Sequence, residues 1–253
     1  MGSDRALIIA HRGESHDAPE NTLVAVNLAW ERNADAAEID VRLTKDGRIV
    51  VIHDDNTWRT AHRLGKVSNL TLEQLRRLDV GRYKGTRWAK EKIPTLAEAL
   101  DTVPAGKKLF VEIKVDACIL TELTDVLGNS SLSPNQVVLI GMDIAVMELI
   151  KKILPAYQCC WVCAIKDEKE MDTKGSPGEG LIARARQAGL DGLDIEASKE
   201  VDGDFVARVK SAGMKLYVWT VDDPKEARQL FALGVDGIAT NRAHWLKTRL
   251  RKV

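Results

Sequence analysis

Two tripeptides, Glu38-Ile39-Asp40 and Glu112-Ile113-Lys114, alternate ionisable residues with an apolar one inside otherwise apolar runs. In an extended strand successive side chains point to opposite faces, so Glu38 and Asp40 share one face, and Glu112 and Lys114 share another. Histidines close two further strand-like runs, at His11 and His53. Three carboxylates gathered in a core cost on the order of several kcal/mol per ion if nothing compensates them. A divalent cation is the natural compensation, and imidazoles beside it can exchange protons near neutral pH. The chemistry suggested is metal-assisted acid/base catalysis.

The elements that must hold these groups follow from periodicity. Apolar strand-like segments at 6–11, 36–43, 48–53, 108–115, 136–142, 157–165, 191–197, 215–221 and 235–240 alternate with amphipathic helical patterns. The helices fall at about 20–33, 95–103, 118–128, 143–153, 179–189, 202–212, 223–233 and 242–251. With 48–53 as the returning arm of a hairpin, eight parallel strands and eight helices remain, which is a (β/α)8 TIM barrel. A weak repeat agrees: Ala188-Gly189-Leu190-Asp191-Gly192-Leu193 recurs as Leu233-Gly234-Val235-Asp236-Gly237-Ile238, each at a helix end leading into a strand. The dipeptide Asp46-Gly47 favours a two-residue turn, which pairs Asp40 with His53 unless a longer loop or bulge intervenes. Residues 54–93 show only one short helical pattern, Thr71 to Leu78, and read as an insertion over the barrel mouth within a single domain spanning 1–253. In such a barrel chemistry gathers at the C-terminal ends of the strands, where His11, Glu38, Asp40, His53, Glu112, Lys114, Trp219 and Asn241 all fall.

Composition narrows the partners. The 253 residues are 45% hydrophobic with zero formal net charge, which argues against a nucleic-acid partner and a polybasic membrane anchor. No apolar run approaches the roughly 18 residues of a membrane span, and the start lacks a secretory pattern, so the chain reads as cytoplasmic. The basic tail from Lys247 reads as a solvated final helix, and Cys118, Cys159, Cys160 and Cys163 as buried free thiols. Segment 166–180 reads as a solvated connector, with gating of the mouth as the alternative. His16, His62 and His244 read as ordinary surface or loop residues. No heptad identifies an interface, and a homo-oligomer is left open.

Ala10-His11-Arg12-Gly13, Pro19-Glu20-Asn21-Thr22, Glu38-Ile39-Asp40-Val41, Val51-Ile52-His53-Asp54, Ile93-Pro94-Thr95-Leu96 and Glu112-Ile113-Lys114 together resemble the glycerophosphodiester phosphodiesterase family. Val218-Trp219-Thr220-Val221, Asp236-Gly237-Ile238 and Thr240-Asn241 resemble its closing motifs, so the likeness covers nearly the whole chain. It implies a barrel enzyme that splits small glycerophosphodiesters into glycerol 3-phosphate and an alcohol. By position, it implies His11 and His53 as the acid/base pair and Glu38, Asp40 and Glu112 as ligands of Mg2+ or Ca2+. Arg12 and Lys114 would bind phosphate, with Trp219 as a wall against the organic group. Asn21 or Glu20 would start the first helix while the other supports the site, with Asn241, from behind. Trp58 stands where the family commonly has a smaller residue, which bears on the alcohol pocket.

Blander readings compete at each position. Glu38 and Asp40 could form a structural network with Arg42 or Lys114, and Trp219 could fill the barrel. At the level of function, the rivals are a phospholipase-like lyase giving a cyclic phosphate, for which no exposed apolar cluster is evident, and a non-catalytic phosphate-binding barrel.

Overall fold

In the computed structural model, which describes residues 6–166 and 176–251, nine strands form a single sheet. They are β1 (Leu7–Ala10), β2 (Ala36–Leu43), β3 (Ile49–Val51), β4 (Lys108–Ile113), β5 (Val137–Gly141), β6 (Gln158–Cys163), β7 (Gly192–Glu196), β8 (Lys215–Trp219) and β9 (Gly237–Thr240). All but β3 run parallel, and pairing of β1 with both β2 and β9 closes them into an eight-stranded barrel. The helices are α1 (Leu23–Glu31), α2 (Trp58–Ala61), α3 (Leu72–Arg76), α4 (Leu96–Leu100), α5 (Leu120–Gly128), α6 (Ile144–Ile153), α7 (Glu179–Gln187), α8 (Gly203–Ser211), α9 (Pro224–Leu233) and α10 (Ala243–Leu250). All eight helices expected from periodicity are present; α2, only four residues long, carries too little pattern to be read in advance.

Strand alternation divides the core in two. Leu109, Val111 and Ile113 of β4 face the surrounding helices, while Phe110 and Glu112 face the barrel axis. The interior floor is filled by Ile9, Phe110, Val138, Cys160 and Tyr217, with the Phe110 and Tyr217 rings edge-on at 4.9 Å between centroids. Gly192 makes room beside them, since a Cβ there would meet the Lys215 carbonyl oxygen at 2.6 Å.

At the bottom rim one device recurs. Asp35, Asp191 and Asp236 each stand just before a strand and accept the backbone N–H of a residue in the neighbouring strand, from Ile8, Cys159 and Leu216 respectively. Each also pairs with a lysine: Lys247, Lys151, and Lys210 with Lys215. This explains two of the repeated aspartates as structural clamps. It also corrects the reading of the tail as solvated, because Lys247 is buried with its ammonium on Asp35 and the Asn33 carbonyl. Cys118 likewise departs from expectation: it is exposed in a turn capped by Asp116, whereas the three cysteines of β6 are buried.

Above the point where β1 leaves β2, the β2 edge is taken over by other chain. Ala36 and Ala37 pair with β1, while Val41 to Leu43 pair with β3. Between them the loop after β1 fills the edge: Gly13 N–H donates to the Glu38 carbonyl, and Asp40 N–H donates to the Asn21 side chain at 3.0 Å. Gly13 sits at φ 77, and a Cβ there would meet Ala25 backbone atoms at 2.5 Å, so glycine alone allows this close approach.

The β2–β3 register is one residue away from the expected one. Val41 faces Val51 and Leu43 faces Ile49, so Asp40 faces Ile52 and not His53. Gly47 adopts φ 72, and Thr44 closes a three-residue loop by accepting from Gly47 N–H and donating to the Arg48 carbonyl. The left-handed glycine adds a residue to the two-residue turn that Asp46-Gly47 suggested.

Residues 54–93 hold α2, α3 and three short 3-10 turns over a small apolar cluster of Val67, Leu75, Val80 and Ile93 on Val50 and Ile52. Trp58 and Leu64 are exposed there, and Trp58 lies outside the cavity described below. Most of the 166–180 connector, residues 167–175, lies outside the described residues. Among the described residues no helix is long and apolar enough to cross a membrane.

Candidate active site

Register brings Asp40 of β2 beside Glu112 of β4, and Glu38 lies two residues earlier on the same face. One carboxylate oxygen from each lies within 4.8 Å of the other two, and all three side chains are buried. Burial first, then the charges of Asp40 and Glu112, holds the Glu38 carboxyl well above its ordinary range. Burial and Asp40 raise Glu112 to about 7. Burial opposes ionisation of Asp40 too, but Arg12, Lys114 and His53 outweigh it and keep Asp40 below the usual carboxylate range.

Two cations already touch this cluster. Arg12 Nε lies 3.2 Å from Asp40, and Lys114 Nζ lies 2.7 Å from Glu112 and 3.3 Å from Asp40. Arg12 also donates its backbone N–H to Glu38 at 2.8 Å, from a left-handed backbone at φ 57. Even so, Glu38 Oε1 and Asp40 Oδ1 are buried without a hydrogen bond. Once all three carboxylates give up their protons, as metal ligation requires, they and the two cations sum to one net negative charge, the wrong sign for an anionic substrate. A dication on the unused oxygens would reverse that sign, and hard oxygen donors suit Mg2+ or Ca2+. These residues therefore form a candidate divalent-cation site.

The two histidines are braced differently. His11 Nδ1 lies 2.8 Å from Asn241 Oδ1. Asn241 in turn donates its Nδ2 and its backbone N–H to Asp222, which Thr240 also donates to. Those donors hold Asp222 below the ordinary carboxylate range despite burial. A carboxylate can only accept, so the Asn241 oxygen must face His11, placing the ring proton on Nδ1 and a lone pair on Nε2. Burial and the neighbouring Arg12 charge lower the His11 pKa, favouring the neutral ring. His53 Nδ1 lies 2.7 Å from Asp54, which its bond to Arg59 holds at about 2. Arg59 also forks onto Glu20, and Glu20 accepts from Arg12, so an unbroken ion-pair chain joins the His53 side to Asp40.

His11, Arg12, Glu38, His53, Glu112, Lys114 and Trp219 line one cavity of about 240 Å³ at the C-terminal mouth. Apolar Ile140, Met142, Val162 and Ala239 line it too, as does Asp194. Trp219 is held by donating its indole N–H to the Asp194 carbonyl. Of the two partners weighed for a structural network, Lys114 pairs with Asp40, while Arg42 makes no ion pair with the carboxylates. It donates to the His53 and Lys114 carbonyls and ties two strand tips together.

The structure thus gathers every cavity residue anticipated from sequence, with Asp40 beneath them and Glu20, Asn21 and Asn241 behind. Neither Glu20 nor Asn21 starts the first helix; Thr22 does, accepting from Ala25 N–H. Asn21 is free to grip Asp40 at both its carboxylate and its backbone N–H. Sequence reading missed Arg59, Asp222 and Asp194. Asp194-Ile195-Glu196 on β7 repeats the alternation that exposed Glu38-Ile39-Asp40, so its signal was present.

The model of the glycerophosphoryl diester phosphodiesterase family matches residues 11–244. A glycerophosphodiester phosphodiesterase of Caldanaerobacter subterraneus is 32% identical over 266 residues, covering 98% of this chain and 99% of its own. One from Bacillus subtilis is 27% identical over 258 residues, covering 95% and 85%. Among solved structures, an Oleispira antarctica phosphodiesterase in complex with the product sn-glycerol-3-phosphate superimposes with a TM-score of 0.85 at 26% identity, covering 97% of both chains.

Proposed function

The chain belongs to the glycerophosphoryl diester phosphodiesterase family, and from that premise we propose that it hydrolyses small glycerophosphodiesters to glycerol 3-phosphate and an alcohol by histidine acid/base catalysis. The observation that carries the reading is two imidazoles, each with Nδ1 engaged and Nε2 available, in one cavity with the acidic cluster and two cations.

Glu38, Asp40 and Glu112 are the residues to hold Mg2+ or Ca2+. When bound, the cation supplies positive charge for the phosphoryl oxygens and acidifies an attacking hydroxyl. The chain's own groups do the rest. Arg12 and Lys114 take the non-bridging phosphoryl oxygens. His11, neutral and bare at Nε2, removes the proton of the attacking hydroxyl. His53, whose Asp54 carboxylate can balance a charged ring, gives its Nε2 proton to the leaving alkoxide. Trp219 walls the organic group. The attacking hydroxyl belongs to water or to the substrate's own glycerol; in the second case a cyclic phosphate precedes hydrolysis, and 31P NMR of early time points separates the two.

The test is release of glycerol 3-phosphate from a panel of glycerophosphodiesters with Mg2+ or Ca2+ supplied. Release from at least one diester is the expected result, and none from a folded, metal-supplied protein overturns the reading. A narrower prediction concerns Asp222→Asn. An amide at 222 can donate as well as accept, so Asn241 is free to flip and present its NH2 to His11. We expect kcat to fall roughly 10–100-fold, the usual cost of losing an orienting partner behind a functional histidine. KM should move less than about threefold, because no phosphate-binding group changes. Unchanged kcat would show that Asn241 needs no such anchor.

A further inference from the structure

Asp194 takes no part in the mechanism above, yet it stands on the cavity wall. β7 places it between Val162 of β6 and Tyr217 of β8, both interior residues. It is 5% exposed, its Oδ1 is buried without a partner, and its side chain makes no hydrogen bond or ion pair among the described residues. Ile140, Val162, Ala239 and the Trp219 ring line the same cavity, and the Glu112 charge acts on Asp194 within it. A barrel interior filled elsewhere by Phe110 and Tyr217 gains nothing from a lone carboxyl, and a leucine of similar size would pack there at no desolvation cost.

We propose that Asp194 is a specificity residue that hydrogen-bonds a hydroxyl on the organic part of the phosphodiester, an inference that rests on the phosphodiesterase reading. Burial, and after it the Glu112 charge, raises the Asp194 carboxyl above its ordinary range, and its burial without a partner on the cavity lining leaves it to meet a ligand. A protonated carboxyl offers one donor and one acceptor, the same pair a hydroxyl offers in return. The hydroxyl has two sources, the glycerol and a hydroxylated leaving alcohol.

Wild type, Asp194→Leu and Asp194→Asn are compared, with metal supplied, on glycerophosphoglycerol and glycerophosphocholine, and their melting temperatures are measured. The expected result is that Asp194→Leu loses about 10–100-fold in kcat/KM while melting about 2–5 °C higher, and that Asp194→Asn, which retains a donor and an acceptor, recovers most of the activity. Loss on both diesters assigns the hydroxyl to glycerol; loss on glycerophosphoglycerol alone assigns it to the leaving alcohol. Activity of the Leu variant within threefold of wild type on both diesters overturns the inference. So does an Asn variant as impaired as Leu, or failure of both variants to fold, which would make Asp194 a structural group. Inactivity of wild type on both diesters instead strikes the phosphodiesterase reading itself.

Discussion

His11→Ala and His53→Ala should each lower kcat by roughly 10²–10⁴-fold, the range for removing a positioned proton carrier. The two losses should not resemble each other when the leaving group changes. A p-nitrophenyl ester of glycerol phosphate expels an anion that needs no proton, so His53→Ala should regain most of its loss on that substrate. His11→Ala should not, because its missing step precedes departure of any leaving group. The asymmetry follows from bracing: an amide behind His11 leaves a neutral ring with a free Nε2, whereas Asp54 behind His53 offers a counter-charge to a protonated one. The double variant should fall little further than the worse single one, since both act in one displacement. Equal rescue of both variants by the activated ester would refute these roles, and rescue of His11→Ala alone would exchange them.

Much of this arrangement is legible in the sequence because barrel strands alternate strictly. Glu38-Ile39-Asp40 declares which residues face inward before any fold is known, and the histidines at strand ends declare the mouth. What escapes is set by backbone conformations that residue types permit but do not dictate. Gly47 entering the left-handed region moves the hairpin register by one residue. Asn21, also left-handed at φ 56, leaves the cap to Thr22 and turns its amide onto Asp40. Partners distant in sequence are the other blind spot. Arg59 meets Glu20 across 39 positions, and Lys247 meets Asp35 across 212. Nothing local in either stretch announces those ion pairs; they exist because the closed barrel returns its last helix and its rim segment to the first strands.

Cation binding should be tied to protons, with a sign fixed by the raised carboxyls. Glu38 and Glu112, the latter at about 7, hold protons in the metal-free protein at pH values where an unfolded glutamate, near 4.3, has lost its own. A raised carboxyl favours folding fully below its unfolded pKa, and that contribution is lost as pH rises through the folded value. Asp40, held low, works in the opposite sense, contributing above its unfolded pKa of about 3.9 and losing that contribution as pH falls. The metal-free protein should therefore lose stability steadily as pH rises from about 4.5 through the Glu112 value of about 7 and on to the Asp194 value of about 8. Mg2+ or Ca2+ needs these oxygens deprotonated, so it must expel what they hold. At pH 6 binding should release one to two protons, roughly one at least from Glu112, and apparent affinity should climb about tenfold per pH unit for each proton expelled. Saturating cation at about 1,000 times its Kd should add about 4 kcal/mol to stability. Calorimetric titration in two buffers of different ionisation enthalpy counts the protons, and melting curves from pH 5 to pH 8 with and without cation read the stability. Chelation should abolish turnover in parallel. Affinity independent of pH would mean that Glu112 and Glu38 are already ionised beside Arg12 and Lys114, and that those two cations, not the pH, govern entry of the metal.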